Sequence, residues 1–311
     1  MVIRRFGDPR ELRLEDVADP QAGPGDVRIA VHAAGVNPVD AGNRRDGSWA
    51  GIELPAVLGY DVAGVVDDVG PGVANVAVGD HVMAMTGFPG GAGGYAEMVV
   101  TPAALVAVLE PPVDLVEAAA IPLAGGTALD VLARLGVPRG GTMLVLGASG
   151  GVGMFVVQLA VLDGLQVIAV GRDASHARLH EHGATACIDY TSEDVPGRAR
   201  TIANGPVDAI ADLVGGDLLA RSLPALRTGG SMASIATPEL DLDPILDNNL
   251  TWHGVLIGDD GDRTRRLARS LAVGDVRPHV SHVLPLADAA EAHRIVESGH
   301  PDGKIVLATH P

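Results

Sequence analysis

Between Leu144 and Gly153 the chain reads Leu-Val-Leu-Gly-Ala-Ser-Gly-Gly-Val-Gly, an apolar run that stops in a cluster of small residues before a second apolar run begins. That spacing suits a strand, a tight turn and a helix, the context in which glycines hold a dinucleotide. Gly150 lets the backbone approach a pyrophosphate and Gly153 lets the helix pack on the strand, while Ala148 stands where a first glycine often sits. The helix start adds free N–H groups and the positive end of its dipole. The same residues spell Gly147-x-Ser149-x-Gly151, the pattern of a hydrolase nucleophile elbow. An elbow has no need of the extra glycines, and His253, His279, His282 and His293 are partners for Ser149 only by number, with no clear acid beside them. Hydride chemistry on a nicotinamide is the better reading.

Which nicotinamide follows from the end of the next strand. A site for NAD places Asp or Glu there to hold the ribose 2′-OH. This chain has Val170-Gly171-Arg172-Asp173-Ala174-Ser175. Gly171 leaves room for a 2′-phosphate, Arg172 can pair with it and Ser175 can donate a hydrogen bond, so NADP(H) is the expected cofactor. Asp173 argues the other way if it faces the phosphate, and a bland alternative makes Arg172 a solvated turn residue and Asp173 a helix cap.

These residues need elements to hold them. From Thr142 the chain alternates apolar strands with helices: strands Thr142–Leu146, Leu165–Val170, Ala186–Ile188, Val207–Val214, Ser231–Ala236 and Trp252–Ile257, with helices Val152–Asp163, Ala174–His182 and Leu218–Leu226 between them. Such alternation specifies a parallel sheet covered on both faces. The first part of the chain is different, rich in Gly, Pro and Val, with β-type runs at Val27–Val31, Val62–Val69, His81–Met85 and Tyr95–Val100. An Ala-rich helical segment at Leu115–Ala120 marks the change of character, and residues 119–257 are expected to form the nucleotide-binding domain. Two helical patterns, Arg263–Val273 and Ala287–Ser298, and a closing strand Ile305–Ala308 follow.

Composition bounds the rest. At 311 residues two domains are the natural expectation. The 47% hydrophobic content with 20% charged residues describes an ordered protein, and with 3% aromatics its core must be Val, Leu, Ile and Ala. A net charge of −17 is the wrong sign for a nucleic-acid backbone partner. Among the 22 basic residues only Lys304 is lysine. The single cysteine, Cys187, excludes an intramolecular disulfide and a thiolate metal cluster. The longest apolar stretches, such as Met143–Leu146 and Met154–Leu162, fall short of a membrane span, and no basic segment leads into an apolar run at the N-terminus. No membrane partner and a cytoplasmic location are expected.

Several segments carry a family resemblance: Ala33-Ala-Gly-Val-Asn37-Pro38-Val-Asp40, Leu58-Gly-Tyr60-Asp61, Gly79-Asp80-His-Val, Gly93-Gly94-Tyr95-Ala96-Glu97, Ala120-Ile-Pro-Leu-Ala-Gly-Gly-Thr127-Ala, the glycine turn, and Gly299-His-Pro-Asp-Gly303-Lys304-Ile-Val-Leu. In this order, over nearly the whole chain, they resemble the zinc-independent quinone oxidoreductases (zeta-crystallin-like) of the medium-chain dehydrogenase/reductase group. The resemblance implies an α/β protein with a GroES-like β-rich catalytic domain (residues 1–118, completed by 258–311), a Rossmann doubly wound parallel sheet between, and a homodimer. It implies hydride transfer from NADPH to a quinone or related enone. An enone, alkenal or enoyl-thioester reductase, or an NADPH-binding sensor without turnover, are the alternatives.

Where zinc-dependent relatives carry a first Cys ligand and a Gly-His-Glu motif, this chain has Asn37 and Gly59-Tyr60-Asp61, so no metal is expected. By matching position, Asn37 and Tyr60 line the reacting pocket as catalytic residues. Thr127, Ala236, Leu256 and Ile257 contact the nicotinamide half. Ser149, Gly150, Gly151 and Val152 hold the pyrophosphate, and Gly171, Ser175 and Tyr190 match the 2′-phosphate positions. Where Ser175 stands the family commonly has a basic residue. Lys304 falls in the closing Gly-Lys motif, either as a cofactor contact or as strand-end packing. Asp40 and Asp61 sit beside the site and are read equally as turn caps. Substrate walls are expected from the loops Arg44–Leu54 and Met85–Gly94, with Trp49 at the entrance or anchoring its loop.

Overall fold

The computed structural model describes residues 1–299 and 301–309; His300 of the closing motif, His310 and Pro311 lie outside the described residues. The chain divides into two compact units, Met1–Gly126 with Ile257–Pro311, and Thr127–Leu256.

The first unit is built on a long strand, β1 (Asp26–Val36), flanked antiparallel by β2 (Asp61–Val69), which in turn pairs β3 (His81–Met85). The other edge of β1 is shared. Its first half pairs β4 (Met98–Pro102), and β5 (Val106–Val108) extends the sheet beyond β3. Val27, Ile29 and Val31 alternate into the core while Arg28 and Ala30 face outward, the period expected of a strand covered on one side. The expected strand Tyr95–Val100 begins instead at Met98, because Tyr95 is drawn into the interior by its hydroxyl contacts. Helix α1 (Pro38–Arg45), unforeseen from the sequence, opens directly after β1, with Pro38 in its first turn.

Helix α2 (Pro122–Leu135) leads into the second unit. There the strands β6 (Thr142–Leu146), β7 (Gln166–Val170), β8 (Ala186–Ile188), β9 (Val207–Asp212), β10 (Leu226–Ser234) and β11 (Thr251–Gly254) are all parallel, in the spatial order β8-β7-β6-β9-β10-β11. This is the doubly wound arrangement, with a switch of winding direction between β6 and β9. Helix α3 (Gly153–Leu162) follows the glycine turn and is buried from Gly153 to Ala160, so its sequence is apolar all round. Two expected helices come as a short 3-10 turn joined to an α-helix: Asp173–Ser175 before His176–Glu181, and Leu223–Ala225 after Leu218–Ser222, where Pro224 stops the α-helix.

The chain then returns to the first unit with α4 (Gly261–Ala272), β12 (Val280–Pro285), α5 (Ala289–Glu297) and β13 (Lys304–Ala308). β13 pairs antiparallel with the second half of β1, from Ile305 opposite Val36 to Ala308 opposite Ala33, and β12 lies parallel to β13. Strand β12 has no clear sequence signal, since only its edge is half-buried. Among the described residues no helix is long and apolar enough to cross a membrane.

Candidate active site and cofactor cradle

In the first unit the loop before β2 carries Gly59, Tyr60 and Asp61. Gly59 has φ +94°, and a Cβ there would fall 2.3 Å from the ring of Tyr95, so only glycine lets that ring pack against the backbone. Gly93 and Gly94 donate their N–H groups to the Gly59 carbonyl, and Thr86 N–H donates to that of Tyr60. Three segments distant in sequence thereby fix one turn.

Around that turn lies a buried polar cluster. Asn37 precedes α1 and its backbone N–H donates to Asp40 Oδ2 at 2.8 Å, the half of a capping box that a carboxylate supplies. The Asn37 side chain is turned elsewhere: Nδ2 donates to Asp61 Oδ2 at 2.9 Å, and Oδ1 accepts from Lys304 Nζ at 2.5 Å. Lys304 also donates to the Val36 carbonyl and lies 3.7 Å from Asp61 Oδ2, at 3% exposure. Asp61 Oδ1 caps the start of α2 by accepting from Leu123 N at 2.7 Å. Burial pushes the Asp61 carboxyl up and the Lys304 ammonium down, each resisted by the charge of the other.

Tyr60 is fully buried. Its hydroxyl donates to the Pro89 carbonyl at 2.5 Å and accepts from Asn43 Nδ2 at 2.7 Å, so both roles are filled in this arrangement. Burial raises its pKa further above the ordinary phenol value. Its ring packs with Phe88 at 5.0 Å between centroids, and Trp49 meets Phe88 at 6.0 Å. Tyr60 and Phe88 form an apolar cluster with Met85, Leu123 and Ile257 next to the polar one. Phe88 is anchored by its N–H, which donates to Asp259 Oδ1 at 2.6 Å.

The polar network continues inward through residues whose role sequence reading left unsettled: Asp40, read equally as a site neighbour and a turn cap, His293, weighed only as a partner for Ser149, and Tyr95 and Arg44, given no function of their own. Tyr95 donates to Asp40 Oδ2 at 3.0 Å, His293 Nε2 lies 3.3 Å from the Tyr95 hydroxyl, and His293 Nδ1 lies 3.4 Å from Arg44. Arg44 ends the chain in an ion pair with Glu297. Burial holds His293 neutral by lowering its pKa to about 3, and pushes Asp40 up to about 7 against the hydrogen bond from Asn37 N. Helical spacing of Asp40, Asn43 and Arg44 on one buried face of α1 was the available signal.

The second unit carries the glycine turn at the carboxyl end of β6. Gly147 has φ +76°, and a Cβ at Gly153 would lie 2.2 Å from its carbonyl oxygen, so these two positions close the turn. Gly150 has open space on its Cβ side apart from that same oxygen at 3.4 Å. The N-cap of α3 is Val152, with no side-chain capping bond. Met154 N–H donates to the Gly150 carbonyl and Phe155 N–H to that of Val152. What this turn offers an anion is therefore the N–H groups of Gly151, Val152 and Gly153 and the positive end of a ten-residue helix, framed by half-buried Ser149, Gly150 and Gly151. The donors and the room fit a pyrophosphate.

At the end of β7, Gly171 is buried and faces the Ser149 and Ser175 hydroxyls. Ser175 donates its hydroxyl to the Arg172 carbonyl at 2.7 Å, which closes the 3-10 turn. Arg172 is exposed, and its Nε donates to the Tyr190 hydroxyl at 3.0 Å, so a cation and a phenol stand together beside Gly171. Asp173 points outward at 89% side-chain exposure, near His176. Thr127 is buried in α2, Ala236 and Leu256 are exposed, and Ile257 packs in the apolar cluster of the first unit. Cys187 on β8 is a free thiol whose pKa burial raises to about 11, which leaves it a poor nucleophile. Among the described residues no group of three or more His, Cys, Asp or Glu could hold a metal ion.

A GroES-like β-unit that accepts both ends of the chain, with a doubly wound unit between them, defines a medium-chain dehydrogenase/reductase. Residues 23–111 match the alcohol dehydrogenase GroES-like domain, and residues 182–307 the family described as zinc-binding dehydrogenase. The chain is similar to a quinone oxidoreductase of Pseudomonas aeruginosa, 31% identical over 97% of each chain. It is also similar to an NADPH-dependent alkenal/one oxidoreductase of Arabidopsis thaliana, 31% identical over 100% of this chain and 79% of that one. Among solved structures, one titled NAD-dependent alcohol dehydrogenase superposes with a TM-score of 0.92 at 33% identity, covering 99% of both chains. Mycobacterial Rv1454c complexed with NADPH superposes with a TM-score of 0.87 at 31% identity, covering 99% of this chain and 98% of that one. The chain belongs to the quinone oxidoreductase family of medium-chain dehydrogenases/reductases and is an oxidoreductase.

Proposed function

We propose that this enzyme is a zinc-free, NADPH-dependent reductase that delivers hydride to a quinone or a related electrophilic carbonyl compound. The observation that carries the cofactor reading is the Arg172–Tyr190 pair beside Gly171, where an NAD site would present an acidic side chain to the ribose. The bound cofactor supplies the hydride. Ser149, Gly150, Gly151, Val152 and Gly153 hold its pyrophosphate against the uncapped start of α3. Gly171, Arg172 and Tyr190 hold the 2′-phosphate, with Ser175 bracing the turn. Thr127, Ala236 and Leu256 are assigned to the nicotinamide half.

The first unit provides the acceptor's surroundings. Phe88, Met85 and Leu123 exclude water and offer a flat apolar wall. Tyr60 and Asn37 are the donors for the oxygen that gains negative charge, a task a metal performs in zinc-dependent relatives. For Tyr60 to serve, its proton must turn from the Pro89 carbonyl to the acceptor. Lys304 orients the Asn37 amide by holding Oδ1, which fixes Nδ2 as the donor. The zinc-free reading rests on donor chemistry, an amide and a phenol standing where the family's ligands would be. Reduction of an enone is the second reading, favoured by similarity to the alkenal/one oxidoreductase. From family resemblance the enzyme works as a homodimer, which sedimentation of the purified protein checks.

The test is NADPH oxidation followed by absorbance with a panel of quinones and enones, repeated with NADH and after chelation. Quinone-dependent oxidation that prefers NADPH and survives the chelator supports the reading. Turnover confined to NADH, or abolished by the chelator, overturns it.

A further inference from the structure

Two acceptor oxygens on α1 meet no hydrogen-bond partner among the described residues: Asp40 Oδ1 and Asn43 Oδ1. Both side chains are buried, Asp40 at 1% and Asn43 at 0% exposure, and they stand three residues apart on one face of the helix. Two buried acceptors one helical turn apart without a donor are costly, and one proton between them satisfies both. The charges point the same way. The cluster around Asn37 holds two carboxylates, Asp40 and Asp61, against one ammonium, Lys304. Arg44, on the same helix face, is already paired with Glu297, the Met1 ammonium is taken up by the Tyr95 carbonyl, and His293 is neutral. Among the described residues the titratable groups around Asp40 are Asp61 and Tyr60 from the β2 side, Tyr95 from its loop, Lys304 from β13, Arg44 from α1 and His293 from α5, with the Met1 ammonium one step further out on the Tyr95 carbonyl.

We propose that Asp40 is a positioning residue held as a neutral acid, its Oδ1 proton donated to Asn43 Oδ1, so that one buried proton fixes both Asn37 and Tyr60. Asp40 Oδ2 holds the Asn37 backbone N–H, and the Asn43 amide, oriented by the proton on its oxygen side, presents Nδ2 to the Tyr60 hydroxyl. Loss of the proton leaves an ionised Oδ1 that demands a donor. Turning the Asn43 amide to provide one withdraws Nδ2 from Tyr60. The proposal rests on the reading of Asn37 and Tyr60 as acceptor-site residues, while its structural half is independent of turnover.

Infrared difference spectra of the purified enzyme on a pH step from 6 upward test that half. A neutral-acid carbonyl band that fades on the step through about pH 7, is absent in Asp40→Asn and persists in Asp61→Asn is the expected result. A band that survives in Asp40→Asn and disappears in Asp61→Asn, or no such band at pH 6, overturns the proposal. The functional half is read from kcat/KM for a quinone against pH: wild type falls about tenfold as Asp40 ionises, and Asp40→Asn, which carries an amide donor in place of the proton, loses that inflection. An unchanged inflection in Asp40→Asn overturns the positioning role. If no acceptor is reduced at all, the infrared result still stands or falls by itself.

Discussion

Arg44 Nη2 lies 2.7 Å from Glu297 Oε1, joining α1 to α5 across the first unit, and the guanidinium is 1% exposed while the carboxylate is 22% exposed. Arg44 also donates to the Gly7 carbonyl and approaches His293, so the buried cation is spread over three partners. Removing the charge from Glu297 strands it. Glu297→Gln is expected to cost about 2 kcal/mol and lower Tm by about 5 °C, less than a fully buried pair because Glu297 is partly solvated. Thermal unfolding measures this, and an unchanged Tm would mean that desolvation cancels the attraction.

Stability against pH should carry two opposed slopes. Asp40 is raised to about 7, from about 3.9 when unfolded, so its contribution is complete below about pH 4 and is lost as pH rises through 7. His293 is lowered to about 3, from about 6.5 when unfolded, so the folded state gains stability as pH rises from 3 to 6.5. The two largely cancel between pH 4 and 6.5. In Asp40→Asn only the histidine slope remains, and urea midpoints should exceed those of wild type by a margin that widens from pH 4 to pH 8. Parallel curves for the two proteins would refute this.

Gly153→Ala places a methyl 2.2 Å from the Gly147 carbonyl oxygen, which is backbone and cannot yield cheaply. The turn must open, and both Tm and cofactor affinity should fall, affinity by at least about tenfold. Gly150→Ala makes the contrast, because its methyl meets the same oxygen at 3.4 Å and otherwise occupies the space left for the ligand. Stability should hold while binding is lost. Nicotinamide fluorescence titration together with thermal unfolding separates the two.

Arg172→Ala removes the cation beside Gly171 without disturbing a buried group. A charge-assisted hydrogen bond is worth about 1.5–3 kcal/mol, so NADPH affinity should fall about 10- to 100-fold. NADH affinity should stay within about twofold, since it offers no 2′-phosphate to lose. Equal loss for both nucleotides would place Arg172 outside phosphate recognition.

Legibility in the sequence followed the range of the interactions. β3, β6 and β8 run over the residues their apolar patterns predict, and the glycine turn lies between β6 and α3, because strand period and turn chemistry are local. Arg172 was read from the turn that follows β7, while Tyr190 came by position from the family resemblance; the fold sets the two, eighteen positions apart, at the ends of neighbouring strands. The polar cluster was hidden for the opposite reason. Asp40 reads as a turn cap beside Pro38, and His293 as one histidine of eleven, until the fold brings Tyr95 between them. Asn37 was found by position in a motif, while its amide's partners, Asp61 and Lys304, come from β2 and β13. Within residues 37–45 the helical spacing of Asp40, Asn43 and Arg44 is the one local hint, and it gives a shared face without saying that the face is buried.

The pairing of β13 with β1 also sets an order on synthesis. Thr127–Leu256 is one continuous segment, and it can gather its sheet as soon as it leaves the ribosome. The first unit cannot. The second half of β1 keeps an open edge until residues 304–308 arrive, and Asp61 and Asn37 wait the same interval for their ammonium. During translation the unit begun first is therefore completed after the one that follows it, holding an unpaired strand and an uncompensated carboxylate until residues 304–308 emerge.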